Sequence, residues 1–87
     1  MKFKDIKFSK EHRFSIGVDE ESNKYYISFP AYNGMVEYEE YYKISEQEYL
    51  NFIVDLNNAL ILLQRCRERN EENRLLYQPS IKRGSPC

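Results

Sequence analysis

Eighty-seven residues of 10.5 kDa suffice for one small domain, residues 1–87, whose buried share of surface is low and whose stability is therefore marginal. Hydrophobic residues at 41%, charged residues at 31%, eight Tyr and five Phe fit a soluble globular chain and exclude a disordered or collagen-like one. The longest apolar run, Ala59 to Leu63, falls far short of the ~18 to 20 residues that cross a bilayer, so no membrane contact is expected. The first residues carry no apolar signal-peptide core, which makes a cytoplasmic location the expectation. Cys66 and Cys87 are too few for a disulfide framework, and two reduced thiols are expected.

Net charge is only −1, but the charges are segregated. Residues 1–13 sum to +3, residues 14–64 to −7 and residues 65–87 to +3. The acidic middle would repel nucleic acid and draw in basic partners over a screening length of about 8 to 10 Å, unless these charges are ordinary solvated faces.

Taken in chain order, Phe14, Ile16 and Val18 alternate with Ser15, Gly17 and Asp19, predicting a strand over about 12–19 with one buried face. A turn over Asp19 to Asn23 leads to a second strand, about 24–30, in which Tyr25, Ile27 and Phe29 alternate with Tyr26 and Ser28 and which Pro30 should end. Asn33-Gly34 supplies a hairpin turn, with Pro30 arguing for more than the tight two-residue form. The third strand, about 35–44, turns Val36, Tyr38, Glu40, Tyr42 and Ile44 to the core. Glu40 is anomalous there, because a buried carboxylate needs a partner; a tyrosine hydroxyl is the expected one, and a bulge turning it outward is the alternative.

Ser45 to Glu48 reads as a capping box. From it an apolar stripe at three- and four-residue steps, Tyr49 to Cys66, predicts one long helix over about 46–70. The expected fold is thus α+β, a three-stranded antiparallel meander packed on one long C-terminal helix. Such a helix outruns its sheet, so its far end needs cover from the N-terminal segment (Phe3, Ile6, Phe8), from the tail, 77–87, or from a second copy in a homodimer. The tail is expected as an exposed arm, or folded back through Ile81.

Catalytic chemistry is not expected. His12 is the sole histidine, and no Cys, His and acid set has metal-ligand spacing. Cys66 continues the apolar stripe and reads as core, and Gly17, Gly34 and Gly84 are too scattered for a phosphate loop. Glu37 and Glu39 share a strand face but no pocket. The reading is a non-enzyme with no metal, no cofactor and no small-molecule substrate.

One helix covers one face of a sheet, which leaves Tyr26, Ser28, Glu37, Glu39 and Tyr41 on the other, with Tyr32 beside the hairpin. Tyrosines with adjacent carboxylates suit a protein interface, and Tyr26, Tyr32, Glu37, Glu39 and Tyr41, with Glu20 and Glu21, form the candidate partner-binding set. Cross-strand pairing of Tyr26 with Tyr41 simply to stiffen the sheet is the plainer alternative. Arg65, Arg67, Arg69, Arg74, Lys82 and Arg83 form a basic end able to touch phosphate, but Glu68, Glu71 and Glu72 interrupt it. Direct nucleic-acid binding is the weaker reading.

The run Asn33-Gly34-Met35-Val36-Glu37-Tyr38-Glu39-Glu40-Tyr41-Tyr42-Lys43-Ile44, followed by the capped helix with Cys66-Arg67 and the Arg83-Gly84-Ser85-Pro86 tail, resembles the small cytoplasmic immunity proteins of bacterial contact-dependent growth inhibition systems. The resemblance implies a protein that binds a cognate toxin domain, often a nuclease, and blocks it stoichiometrically. It transfers no contact residue to any position here. An antitoxin of an intracellular toxin–antitoxin pair, or a dimeric nucleic-acid-binding adaptor using the arginine-rich helix end, are the alternatives.

Overall fold

A computed structural model describes residues 2–76 and 83–87. Its elements are β1 (Phe3–Ser9), β2 (Phe14–Asp19), β3 (Lys24–Tyr32), β4 (Glu37–Ile44), α1 (Glu46–Val54), a 3-10 segment (Leu56–Ala59), α2 (Leu60–Arg67), a 3-10 turn (Glu72–Arg74) and β5 (Ser85–Pro86). The class is α+β, but the sheet is five-stranded and antiparallel, and two short helices replace the single long one expected. Strands β1 to β4 lie in chain order, and β5 pairs with β3 beyond the point where β2 begins.

β1 escapes the alternation pattern because a bulge falls between Asp5 and Lys7: Asp5 pairs with Gly17 and Lys7 with Ile16, which leaves Ile6 unpaired with β2. One extra residue breaks the period-two reading, so Phe3 and Phe8, five apart, both lie on the face of Gly17 and Ser15. β3 runs through Pro30 to Tyr32. In a strand a residue's N–H and C=O point the same way, and the Pro30 carbonyl accepts the Cys87 N–H at 3.0 Å. The missing proline donor therefore falls beside β5, where it breaks no bond to β2.

Two turns are closed by side chains and by left-handed residues. Asp19 accepts the N–H groups of Lys2 (2.9 Å) and Glu21 (3.0 Å) and the Ser22 hydroxyl (2.8 Å), and the first of these above all pulls its carboxyl down to about 2. Asn23, at φ 59°, completes that turn. Between β3 and β4 the Asn33 Oδ1 accepts from Met35 and Val36, both at 2.9 Å, and Gly34 sits at φ 92°, where a side chain would strain the backbone.

The capping box of α1 is present, with Ser45 Oγ accepting from Glu48 N–H at 3.0 Å and Glu48 Oε1 from Ser45 N–H at 2.8 Å. The long helix fails at Asp55, whose backbone is extended (φ −152°, ψ 113°) and whose carboxylate caps the 3-10 segment by accepting from Asn57 N–H at 3.0 Å. The Asn58 amide donates to the backbone and side-chain oxygens of Asn51, both at 3.1 Å. Asp55, Asn57 and Asn58 thus offer local bonds that compete with the helix, although the apolar stripe continues past them. α2 ends in a Schellman motif: Asn70 N–H reaches Arg65 C=O and Arg69 N–H reaches Cys66 C=O, with Arg69 left-handed at φ 63°.

The core lies between sheet and helices, with Phe14, Ile16, Ile27, Phe29, Tyr42 and Ile44 packed on Phe52, Ala59, Leu63 and Cys66. Tyr25 stacks on Tyr49 at 4.1 Å and ties α1 to β3. Cys66 is core, and its burial pushes the thiol up to about 12; neither cysteine is bridged. Leu56, Leu60, Leu62 and Leu75 are half-buried against this cluster, whereas Val54 and Ile61 are 82% and 80% exposed. β1 extends the sheet instead of covering the helix end. Ile81 and Lys82 lie outside the described residues.

Candidate functional site

The face turned away from the helices is not an open plate. Tyr26 crosses β2 over Gly17, where an added Cβ would come within 2.6 Å of its ring and hydroxyl, and donates to Asp5 Oδ1 at 2.6 Å. Phe3 then stacks on Tyr41 with ring centroids 3.6 Å apart and meets Tyr26 edge-on at 5.3 Å, while Tyr26 and Tyr41 meet edge-on at 5.0 Å. The result is a second, small core built by β1. Burial and the bond to Asp5 hold the Tyr26 hydroxyl above the ordinary phenol range. Tyr26, expected at the partner surface, is wholly buried, and Tyr41 is half-buried beneath Phe3.

The other candidates divide between opposite ends of the sheet. Glu20 and Glu21 are exposed on the β2–β3 turn. Tyr32 and Glu37 are cross-strand partners at the far end of β3, roughly 27 Å away at ~3.4 Å per residue. Glu39, paired with Pro30, follows Glu37 on the same face. Partial burial and the neighbouring carboxylates of Asp5 and Glu37 push Glu39 upward. Arg13 reaches Glu37 at 3.5 Å, with both side chains more than half exposed.

What the structure does bring together is the β3–β4 hairpin. Tyr32, Met35 and Val36 are 51%, 87% and 47% exposed, and Glu37 and Glu39 stand beside them. The sequence marked Tyr32 and the glutamates but put Val36 on the core side and gave Met35 no role. Alternation cannot tell a tip from a strand, and the four-residue loop 33–36 releases both side chains from the sheet.

A second cluster surrounds Glu40, which is buried as its phase in the strand requires. Tyr38 and Tyr42 donate their hydroxyls to its two oxygens, each at 2.8 Å. Arg69 and Arg83 both straddle the carboxylate, and Arg83 also grips Glu72. Burial alone would raise the Glu40 carboxyl, but its bonds from Arg83, Tyr42, Arg69 and Tyr38 outweigh it and bring it down to about 2. The hydroxyl partners follow the sequence reading; the two arginines were not foreseen.

The basic end is engaged within the chain. Arg65 pairs with Glu71 at 2.6 Å, and Arg74 pairs with Glu71 at 2.8 Å and with Glu48 at 3.0 Å. Arg67 donates to the carbonyl of His12 at 2.8 Å, its guanidinium 5.5 Å from the Phe29 ring centre. A cleft of about 400 Å³ between Ile44, Ser45 and Asn73 is lined by the same Glu48, Arg74 and Glu71. Among the described residues no group of His, Cys, Asp and Glu has the geometry to hold a metal ion, and no helix is long and apolar enough to cross a membrane. No known family model, curated protein or solved structure gives a significant match to this chain.

Proposed function

We propose that this chain is an immunity protein, a stoichiometric binder that captures a basic toxin domain, a nuclease in the first instance, through its β3–β4 hairpin. The observation that carries the reading is the exposed apolar tip of Tyr32, Met35 and Val36 beside Glu37 and Glu39. Apolar side chains grouped at one tip favour a docking surface over scattered surface residues, and a tyrosine at its centre supplies large contact area at low rotamer cost. The carboxylates would accelerate capture of a basic cleft and set the register. Arg65, Arg69, Arg74 and Arg83 are engaged with Glu71, Glu40, Glu48 and Glu72, which favours a protein partner over phosphate.

The test is neutralisation by purified variants of the toxin domain that co-purifies with the chain. Tyr32→Ala should cost about 2 kcal/mol of binding, roughly thirtyfold in Kd. Glu37→Lys with Glu39→Lys should slow association and flatten its salt dependence. Full neutralisation by a folded chain carrying all three changes would remove the hairpin from the mechanism.

A further inference from the structure

We infer that the track leading from the Glu40 cluster on β4 across β3 to the edge of β3 at residues 30–32, on the side away from β4, is a binding site for an extended Arg-Gly segment, filled here by the chain's own residues 83–87 and able to take the same segment from a second copy. Charge is the first argument. Glu40 and Glu72 contribute two carboxylates and Arg69 one guanidinium, so the cluster balances only when the guanidinium of Arg83 joins it. With the segment in place the Glu40 side chain is 1% exposed, and a carboxylate at that depth needs its charged partners.

The next position is selective for glycine. A Cβ at Gly84 would lie 2.0 Å from the carbonyl oxygen of Tyr32 and 2.3 Å from its carbon, both backbone atoms that cannot move aside. The bare peptide is instead held on both sides, with its N–H donating to the Tyr38 hydroxyl at 2.7 Å and its C=O accepting from Arg69 Nη2 at 2.7 Å. Ser85 and Pro86 then pair with Tyr32 and Ala31, and the Cys87 N–H reaches the Pro30 carbonyl. The site thus requires a guanidinium followed by a residue without a side chain, then accepts a short strand.

Glu40 and Tyr38 hold this segment across 43 and 46 residues of sequence, so its contacts come from β4 and the edge of β3 and not from chain neighbours. The identical segment of a second copy would make the same contacts, as in other tail exchanges, differing only in its effective concentration.

The test uses the full-length Arg83→Ala chain, which weakens the resident segment, and an acetylated peptide reproducing residues 82–87. Saturable binding is expected, with amide shifts at Tyr32, Tyr38 and Glu40, and at least tenfold weaker binding to the unmodified chain, whose own tail competes. Peptides with Arg→Lys or Gly→Ala should bind at least tenfold more weakly. Should Arg83→Ala not fold, a Gly84→Ala chain, which excludes its tail by collision, is the acceptor. No binding at millimolar peptide, equal binding to both chains, or equal binding of the Gly→Ala peptide would each overturn the inference.

Discussion

At Glu40 two rules of sequence reading collide: alternation sends the side chain inward, and charge should keep it out. The structure resolves this with two hydroxyls and two guanidiniums. The hydroxyls sit two residues away on the same strand and could be read from the sequence; the arginines, 29 and 43 residues distant, could not, since pairing of that range depends on tertiary path. Because the carboxyl lies at about 2 when folded against an ordinary 4.5, the unfolded chain takes up the proton first. The stability it contributes is therefore complete above about pH 4.5 and is lost as pH falls toward 2. Glu40→Gln, which leaves Arg69 without a counter-charge and Arg83 with Glu72 alone, should cost about 3–5 kcal/mol in urea denaturation at pH 7. It should also flatten the acid limb between those two pH values; an unchanged limb would assign that limb to the other lowered carboxylates, Asp19, Glu48, Glu71 and Glu72.

Among the elements, β2, β3 and β4 were legible because apolar residues alternate along each, although the structure buries both faces of β2 and β3, and the start of α1 because Ser45 and Glu48 reciprocate. Hydrophobic spacing proved a poor guide to helix continuity. The stripe from Tyr49 to Cys66 keeps its period, yet the backbone turns extended at Asp55. An apolar stripe records which side chains meet the core, not whether the peptide groups between them stay helical. The stop at Arg69 is similar, since a left-handed arginine carries no glycine signal and is held by its grip on Glu40. Asp55→Ala should lower stability by about 1 kcal/mol through loss of the cap, read by denaturation together with faster hydrogen exchange at Asn57. A gain in stability would mean that the joint is strained and that a continuous helix competes with it.

For the molecule as a whole, the charge segregation acquires a different meaning once the chain is folded. The basic ends and acidic middle meet within one molecule, through Arg13 with Glu37, Arg69 and Arg83 with Glu40, and Arg74 with Glu48. A sequence average cannot separate charge available to a partner from charge already matched; the hairpin emerges as the candidate surface through its exposed Tyr32, Met35 and Val36, while the sheet centre is covered by Phe3. The order of the strands carries a kinetic consequence. Each of β1 to β4 pairs with its neighbour in sequence, so the sheet closes through short loops that form early, whereas the Arg83 bonds must wait for a 43-residue loop around the finished sheet. Contacts made after the barrier act on the escape rate alone. In stopped-flow chevrons Arg83→Ala should leave refolding nearly unchanged and speed unfolding about tenfold for each ~1.4 kcal/mol lost, so that the last few residues act as the brake on how long the native state lasts.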